Sequence, residues 1–379
     1  LDSLLDITLI EKNAIYTTCY MSNEVLIGER TLESLQFNYD ALKKQGINVV
    51  IDEVTAINYD SQLVITKSGS SYPYDRCVVS PGVDFHYERI AGYSEAAIES
   101  VPHAWKAGPQ TTLLRYQLQA MPNGGTVVVA APPNPYRCPP APYERASQIA
   151  YYLKQHKPNS KVIVLDPKPS FTKQALFEQA WTELYGYKTN NALLEWHSGE
   201  QASGVVAVDV ASKTVTTEFG DQIQAAVLNI IPPQKAGKLA FDADLVDSTG
   251  WCPVNKLTFE STRHAKVHVI GDACMADSLP KSGFAANSEA KVCAAAIYAL
   301  LKGQEVESPA FSNGCYSLVG KDYAISVVGV YRLSDDGKIV EGIAGSGGNS
   351  SLTATAQDRL FDASYAYSWY NNFTKDVFQ

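Results

Sequence analysis

The sequence predicts an α/β fold, a largely parallel sheet with crossover helices followed by a smaller α+β segment, and three observations predict it. Short apolar runs at 126–131, 161–166 and 225–231 alternate with helical stretches near 144–155 and 173–185, the order of βαβ units. The chain has 379 residues, beyond the length at which one hydrophobic core keeps growing, so two or more domains are expected. From Ser308 onward the βα pattern stops. A strand-rich run at 324–333, a Gly/Ser loop at 345–351 and an aromatic cluster of Tyr365, Tyr367, Trp369, Tyr370 and Phe373 take its place.

Charge and composition narrow the function. Forty acidic against 31 basic side chains give a net charge of −9. Such a surface repels phosphate backbones, so nucleic acid is not an expected partner. The longest apolar stretch, 292–301, has about half of the roughly 20 residues needed to cross a bilayer, and no transmembrane segment is read. Seven cysteines (Cys19, Cys77, Cys138, Cys252, Cys274, Cys293, Cys315) stand far apart, with neither C-x-x-C nor C-x-x-C-H spacing. That excludes a zinc knuckle and a covalently attached haem on this chain. Isolated thiols are buried apolar residues, partners in a long-range disulfide, or reactive sulfurs, and composition does not choose among these.

Leu1, Leu4 and Leu5 lie at helical spacing, and Asp6 then leads into the apolar run Ile7-Thr8-Leu9-Ile10, which ends at Glu11. In a dinucleotide-binding unit the second strand ends in an acid that bonds the adenosine ribose, about 20 residues after a glycine-rich turn. That turn would fall before residue 1. The first residues carry no basic region or continuous apolar run of a signal peptide, and the expectation is a chain cut at its start. Two further short strands end in turn residues, at Cys77-Val78-Val79-Ser80-Pro81-Gly82 and Val267-His268-Val269-Ile270-Gly271-Asp272. In two-domain flavoproteins of the glutathione reductase type, a strand ending in Gly-Asp brings a carboxylate to the flavin's ribityl chain and pyrophosphate. Glycine is needed there because the backbone approaches closely.

Glu11, Gly82, Gly271 and Asp272, in that order, therefore point to FAD, with Val54 and Ser80 assigned to the same site. The expected fold class is an FAD/NAD(P)-binding two-domain flavoprotein, Rossmann-like, with a smaller α+β C-terminal domain. Residues 1–92 and 233–307 form the FAD-binding domain, 93–232 a second Rossmann-like domain, and 308–379 a C-terminal flavin-binding or interface domain.

Asn123-Gly124-Gly125 opens the strand at 126–131, where a second glycine fingerprint should follow. Instead the chain runs Ala131-Pro132-Pro133-Asn134-Pro135-Tyr136-Arg137-Cys138-Pro139-Pro140-Ala141-Pro142. Proline has no N–H for a phosphate and cannot take the positive φ of a tight glycine turn. NAD(P) is therefore not an expected cofactor.

Three cysteine settings are distinctive: Tyr16-Thr17-Thr18-Cys19-Tyr20-Met21-Ser22-Asn23-Glu24, Arg137-Cys138-Pro139-Pro140-Ala141-Pro142-Tyr143-Glu144-Arg145-Ala146, and Cys315-Tyr316-Ser317. With Pro280-Lys281-Ser282-Gly283-Phe284-Ala285-Ala286-Asn287 and the stretch 365–371, they make the chain resemble, over nearly its whole length, the flavoprotein subunits of flavocytochrome c sulfide dehydrogenase. The resemblance implies that Cys19 carries FAD through a thioether and that Cys138 and Cys315 form a redox-active disulfide beside the isoalloxazine ring, with Glu144 as the family's glutamate. It also implies sulfide as substrate, polysulfide or sulfur as product, a separate c-type cytochrome subunit as heterodimer partner and acceptor, and a periplasmic location. Thr18 and Ala141 depart from the family pattern, as does the missing first glycine-rich turn, which puts noncovalent FAD affinity in question.

Sulfide is largely HS⁻ at neutral pH, a nucleophile suited to a disulfide sulfur, and no metal is required. Each candidate has a plainer alternative. Glu144 relays a proton or is a first-turn helix charge favoured by the macrodipole. Lys281 places charge near the flavin's N1–C2=O edge or is an exposed lysine. Trp369 lines the flavin or belongs to an aromatic core. Cys77, Cys252, Cys274 and Cys293 read as core, and His264 with His268 as a polar surface pair. Two other functions fit the same residues: a sulfide:quinone oxidoreductase-like enzyme, with the C-terminal aromatics facing lipid, and a flavin-free sulfur-binding or cytochrome-docking scaffold.

Overall fold

The computed structural model describes residues 5–201 and 204–379. Leu1 and Leu4 of the expected N-terminal helical spacing lie outside the described residues, and Leu5 is not helical. The first element is the strand Thr8–Glu11, paired in parallel with Asn48–Ile51 so that Glu11 stands opposite Ile51. A second parallel pair joins Cys77–Val79 to Val267–Val269 and brings together two segments distant in the chain.

Leu194–His197, Lys161–Leu165, Thr126–Ala130 and Val227–Ile230 form a parallel four-stranded sheet in that spatial order. The two central strands, Thr126–Ala130 and Lys161–Leu165, read as apolar runs because both faces are covered, and Val127, Val128 and Val129 are all completely buried. The helices Pro109–Ala120, Ala141–His156 and Gln174–Tyr185 supply Leu114, Leu118, Ile149, Leu153, Phe177 and Trp181 to the core beside the sheet. The first of them starts at Pro109, whose fixed φ and missing N–H suit the first helical position. Antiparallel meanders accompany both halves: Val54–Asn58, Leu63–Thr66 and Ser71–Pro73 in one, Val205–Asp209, Thr214–Thr217 and Gln222–Gln224 in the other. Val83–Phe85 pairs with Gln234–Ala236 where the chain leaves the first part and returns to it.

The C-terminal segment holds more regular structure than its sequence suggests. Ala310–Gly320 and Tyr323–Leu333 form a long antiparallel hairpin, and Ala356–Phe378 is a helix capped reciprocally by Thr355 and Asp358. The first strand is masked in sequence by Asn313-Gly314. Glycine is needed there because a Cβ would stand 3.1 Å from the Phe284 ring. The helix is masked because its buried stripe is Ala363, Ala366, Tyr370, Thr374 and Phe378, while Phe361, Tyr365 and Tyr367 are exposed. The stripe is helical in period, but small residues carry it.

Trp181 donates its indole N–H to Ser147 Oγ at 2.7 Å from within the core. Trp181→Phe removes this donor and is expected to cost about 1–3 kcal/mol, read as a lower urea midpoint. Tyr116→Ala, at a 67% exposed position, should stay within about 0.5 kcal/mol of the parent.

Candidate functional site

The proline-rich loop after Thr126–Ala130 is fixed by its own hydrogen bonds. Tyr136 donates to the Pro139 carbonyl at 2.7 Å, and the Arg137 amide donates to Gln234 Oε1 at 2.9 Å. The Cys138 amide donates to the Lys281 carbonyl at 2.7 Å, and the Cys138 carbonyl accepts from Ala141 N at 2.9 Å, where the next helix begins. Cys138 holds φ +57°, a left-handed conformation that costs a non-glycine residue about 1–2 kcal/mol and persists only when its surroundings impose it.

Cys315 lies mid-strand, opposite Val327, on the hairpin that packs against the Ala141–His156 helix. The thiols of Cys138 and Cys315 lie within reach of each other and are not joined by a disulfide in this structure. Cys315 is pulled below the usual thiol range, first because Cys138 donates to it and also because the Lys173 ammonium stands near. Cys138 is pushed well above it by the same bond, by burial and by the charge on Cys315. Glu144, in the first turn of its helix, is both the expected helix charge and a neighbour of the sulfurs. Burial pushes it up to about 8 against the pull of Lys173, and Leu318 N donates to its Oε1 at 3.4 Å.

Cys19 sits on the turn between the strand Tyr16–Thr17 and the helix Ser22–Ile27, its carbonyl accepting from Ser22 Oγ at 2.7 Å. Burial raises its thiol, with Arg137 opposing and Asp272 adding to the rise. Cys19, Arg137 and Asp272 therefore form one charged group beside Cys138. Asp272 is raised by burial, and its Oδ1 is buried with no hydrogen-bond partner. Gly271 takes φ +73° and donates its N–H to Glu289 at 2.6 Å.

Lys281 is not a free surface lysine. Its ammonium donates to the Asp272 and Cys274 carbonyls at 2.9 and 2.7 Å and lies 3.9 Å from the centre of the Trp251 ring, bracing the Gly271–Ala273 turn. Trp369 packs edge-on to Tyr20 and stacks on Phe284 and Phe373, joining the C-terminal helix to the Cys19 segment and to the start of Gly283–Leu301. Tyr370 and Thr18 share a 3.0 Å hydrogen bond across the same seam.

The other flavin candidates lie at strand ends. Glu11 accepts from both nitrogens of Asn13 at 3.0 Å, Val54 opens a meander strand, and Ser80 is exposed. Gly82 takes φ +65° with open space where a Cβ would stand. None of the four is hydrogen-bonded to the sulfur cluster. The residues fit FAD: a buried carboxylate oxygen awaits a donor at Asp272, and Gly82 and Gly271 present backbone in conformations only glycine takes readily.

One expectation fails. His268 is no surface residue but completely buried, its Nδ1 2.8 Å from the Thr258 carbonyl, because it alternates with Val267 and Val269 on a strand covered from both sides. Only His264 is at the surface, stacked on Tyr59 and paired with Asp244. Cys252, Cys274 and Cys293 are buried as expected and Cys77 half-buried. Sequence reasoning missed Lys173, Arg137 and Glu289. Arg137 was signalled only by adjacency to Cys138, and Lys173 by nothing.

In the second Rossmann-like unit, Asp166 stands after the second strand, where a dinucleotide-binding domain presents its ribose acid. It is completely buried and accepts from Tyr143 Oη at 2.5 Å, Trp196 Nε1 at 3.0 Å and Lys168 Nζ at 2.6 Å. Among the described residues, no cluster of three or more His, Cys, Asp or Glu could hold a metal ion, and no helix is long and apolar enough to cross a membrane.

Two family models match the chain: the central part of the sulfide dehydrogenase (flavocytochrome c) flavoprotein chain over residues 111–232, and the flavocytochrome c sulphide dehydrogenase flavin-binding part over 307–378. The chain belongs to this flavoprotein family. Among curated proteins, mitochondrial sulfide:quinone oxidoreductase of Mus musculus is 24% identical over 260 residues, 64% of this chain and 53% of that protein. The chain thus spans about half the length of the curated relatives it matches. Among solved structures, sulfide:quinone oxidoreductase of Aquifex aeolicus aligns with a TM-score of 0.69 at 17% identity, covering 96% of this chain and 84% of that one. The NAD-dependent persulfide reductase of A. fulgidus aligns with 0.61 at 15%, covering 96% and 72%. The fold of this family member is therefore that of FAD/NAD(P)-binding two-domain oxidoreductases.

Burial raises Glu289 from 4.5 to about 7, so the folded state keeps a proton that the unfolded chain has lost. The stability this gives is fully present below pH 4.5 and is lost as pH rises through about 7. Glu289→Gln lacks that component. The difference in urea midpoint between variant and parent should move in the variant's favour across this window, and a constant difference would contradict the assignment.

Proposed function

We propose that the chain is the flavin-bearing subunit of a periplasmic sulfide dehydrogenase that oxidises sulfide to polysulfide or sulfur at a Cys138–Cys315 disulfide. FAD is held by a thioether at Cys19, and a c-type cytochrome subunit takes the electrons. One observation carries this reading: two cysteines distant in sequence are brought within reach of each other, among Glu144, Lys173 and Cys19.

HS⁻ attacks one sulfur of the disulfide, an S–S bond to the incoming sulfur forms, the original S–S bond breaks, and its electron pair stays on the other cysteine as thiolate. Glu144 is protonated at neutral pH and can give and take a proton next to that thiolate. FAD, when bound, accepts two electrons and passes them on singly, which a one-electron haem acceptor requires. Asp272 would hold the ribityl side through its unpartnered oxygen, Cys19 the ring methyl, and Glu11 with Gly82 the adenosine end.

The prolines in the second phosphate turn, together with the engaged Asp166 carboxylate, support a chain that takes no electrons from NAD(P)H. A quinone acceptor is the second reading, favoured by the names of the curated relatives and by exposed Phe361 and Tyr365 on the C-terminal helix.

In anaerobic mixing, sulfide should bleach the visible flavin band of the parent protein. Cys138→Ser should slow this at least about 100-fold, as expected when the reacting group itself is removed. Acid-precipitated parent should stay yellow, and Cys19→Ala should release its flavin. Unchanged bleaching in Cys138→Ser would overturn the disulfide reading. Reduction of a quinone but never of a c-type cytochrome would move the acceptor to the second reading.

A further inference from the structure

We infer that Lys173 decides the direction in which the disulfide opens: its ammonium holds the negative charge on Cys315, so the incoming sulfur is taken up on Cys138. This rests on the proposed reaction at the Cys138–Cys315 pair and adds to it a positioning residue that no sequence motif marks.

Lys173 directly precedes the helix Gln174–Tyr185, in a left-handed conformation with φ +63°, and is only 7% exposed. A lysine at a helix start ordinarily sends its ammonium to water. Here Nζ turns inward and donates to Ser317 Oγ at 2.8 Å, the Cys315 carbonyl at 3.1 Å and the Ile325 carbonyl at 3.4 Å. All three acceptors are neutral, and among the described residues Lys173 makes no ion pair with a carboxylate. A buried cation satisfied only by neutral oxygens favours any negative charge that forms beside it.

Few groups can supply that charge. Asp362 on the C-terminal helix is engaged by Ser326 and Ser350. Glu144 keeps its proton at neutral pH because it is buried. That leaves the sulfurs, and the surroundings separate the two. Cys315 lies beside Lys173, whose ammonium bonds its carbonyl, and Glu144 and Tyr331 also sense its charge. Cys138 is raised first by its contact with Cys315 and by burial, so negative charge is disfavoured there. Arg137 senses Cys19 and Asp272 ahead of Cys138, and its guanidinium reaches the Trp105 carbonyl.

In thiol–disulfide exchange the sulfur that is the more stable thiolate is the better leaving group. The step is therefore HS⁻ attacking Cys138 Sγ: a bond forms between the incoming sulfur and Cys138, the Cys138–Cys315 bond breaks, and the electron pair remains on Cys315. One negative charge enters and one remains. The proton of HS⁻ stays on the Cys138 persulfide or passes to a base.

The test uses the flavin-loaded protein with Lys173→Gln, which keeps a hydrogen-bond donor without the charge, Lys173→Met, and Lys173→Arg as the charge-keeping control. One equivalent of sulfide followed by rapid alkylation and peptide mass spectrometry should place the persulfide on Cys138 in the parent and Lys173→Arg. In Lys173→Gln it should be divided between the two cysteines, and sulfide-dependent flavin bleaching should slow about tenfold or more. A second readout needs no sulfide: in the reduced protein, the pH midpoint of Cys315 alkylation should rise by at least about one unit in Lys173→Gln and hold in Lys173→Arg. If Lys173→Met fails to fold, Lys173→Gln carries the test alone. An unchanged persulfide position together with an unchanged Cys315 midpoint in Lys173→Gln overturns the inference. Parent protein that never reacts with sulfide overturns the proposed function instead, while the alkylation midpoint still decides whether Lys173 governs Cys315.

Discussion

One backbone hydrogen bond, from the Cys138 amide to the Lys281 carbonyl at 2.7 Å, couples the two halves of the molecule where their chemistry meets. Cys138 belongs to the loop after the first strand of the second Rossmann-like unit. Lys281 belongs to the turn after the Val267–Val269 strand of the first. Because the Lys281 ammonium also grips the Asp272 and Cys274 carbonyls, the Gly271–Asp272 turn and the Cys138 loop cannot move independently. The third partner, the Ala310–Gly320 strand, is placed by packing on the helix that begins just after Cys138, and that contact delivers Cys315. A shift of any one of the three segments separates the sulfurs from each other or from Asp272.

Burial is the common cause of the electrostatics around this junction. It raises Glu144, Asp272 and Glu289 and lowers Lys173 and Lys281, so charges that water would ordinarily stabilise depend on one another. Two similar thiols in contact become unlike for the same reason. Hydrogen-bond direction and one ammonium favour charge on Cys315, and the same bond with a neighbouring carboxyl disfavours it on Cys138. The asymmetry comes from three elements distant in sequence, so neither cysteine's local motif contains it.

That is also where the sequence stops being legible. The parallel strands and their helices follow from uninterrupted apolar runs and the breaks between them, and the ends differ by a few residues where Gly108-Pro109 or the prolines after Cys138 set the boundary. The resemblance was strong enough to name Cys138, Cys315, Glu144 and Cys19 as a group. It did not reach Lys173, whose role depends on the hairpin folding back over the Gln174–Tyr185 helix. His268 illustrates the opposite error. A histidine near another histidine suggests surface polarity, yet a strand covered on both faces buries whatever alternates along it. The C-terminal helix was hidden because alanine and threonine share its buried stripe with Tyr370 and Phe378, while Phe361, Tyr365 and Tyr367 face outward.

The second Rossmann-like unit keeps the frame of its sheet around a loop built from prolines. Its sheet order and parallel register persist, and so does an acid after the second strand. That acid, Asp166, is occupied by Tyr143, Trp196 and Lys168, and Tyr143 stacks on Phe171 with ring centres 3.6 Å apart. Tyr143 lies five residues beyond Cys138, on the helix that also presents Glu144. The helix turn that seals the ribose position therefore also aims a carboxyl at the sulfur pair. The prolines remove phosphate-binding N–H groups, and Cys138 in the same loop is held in its left-handed conformation by the loop's hydrogen bonds. Restoring a glycine-rich turn here would free the loop that positions Cys138. The same dozen residues thus engage the Asp166 carboxylate and present Cys138 and Glu144.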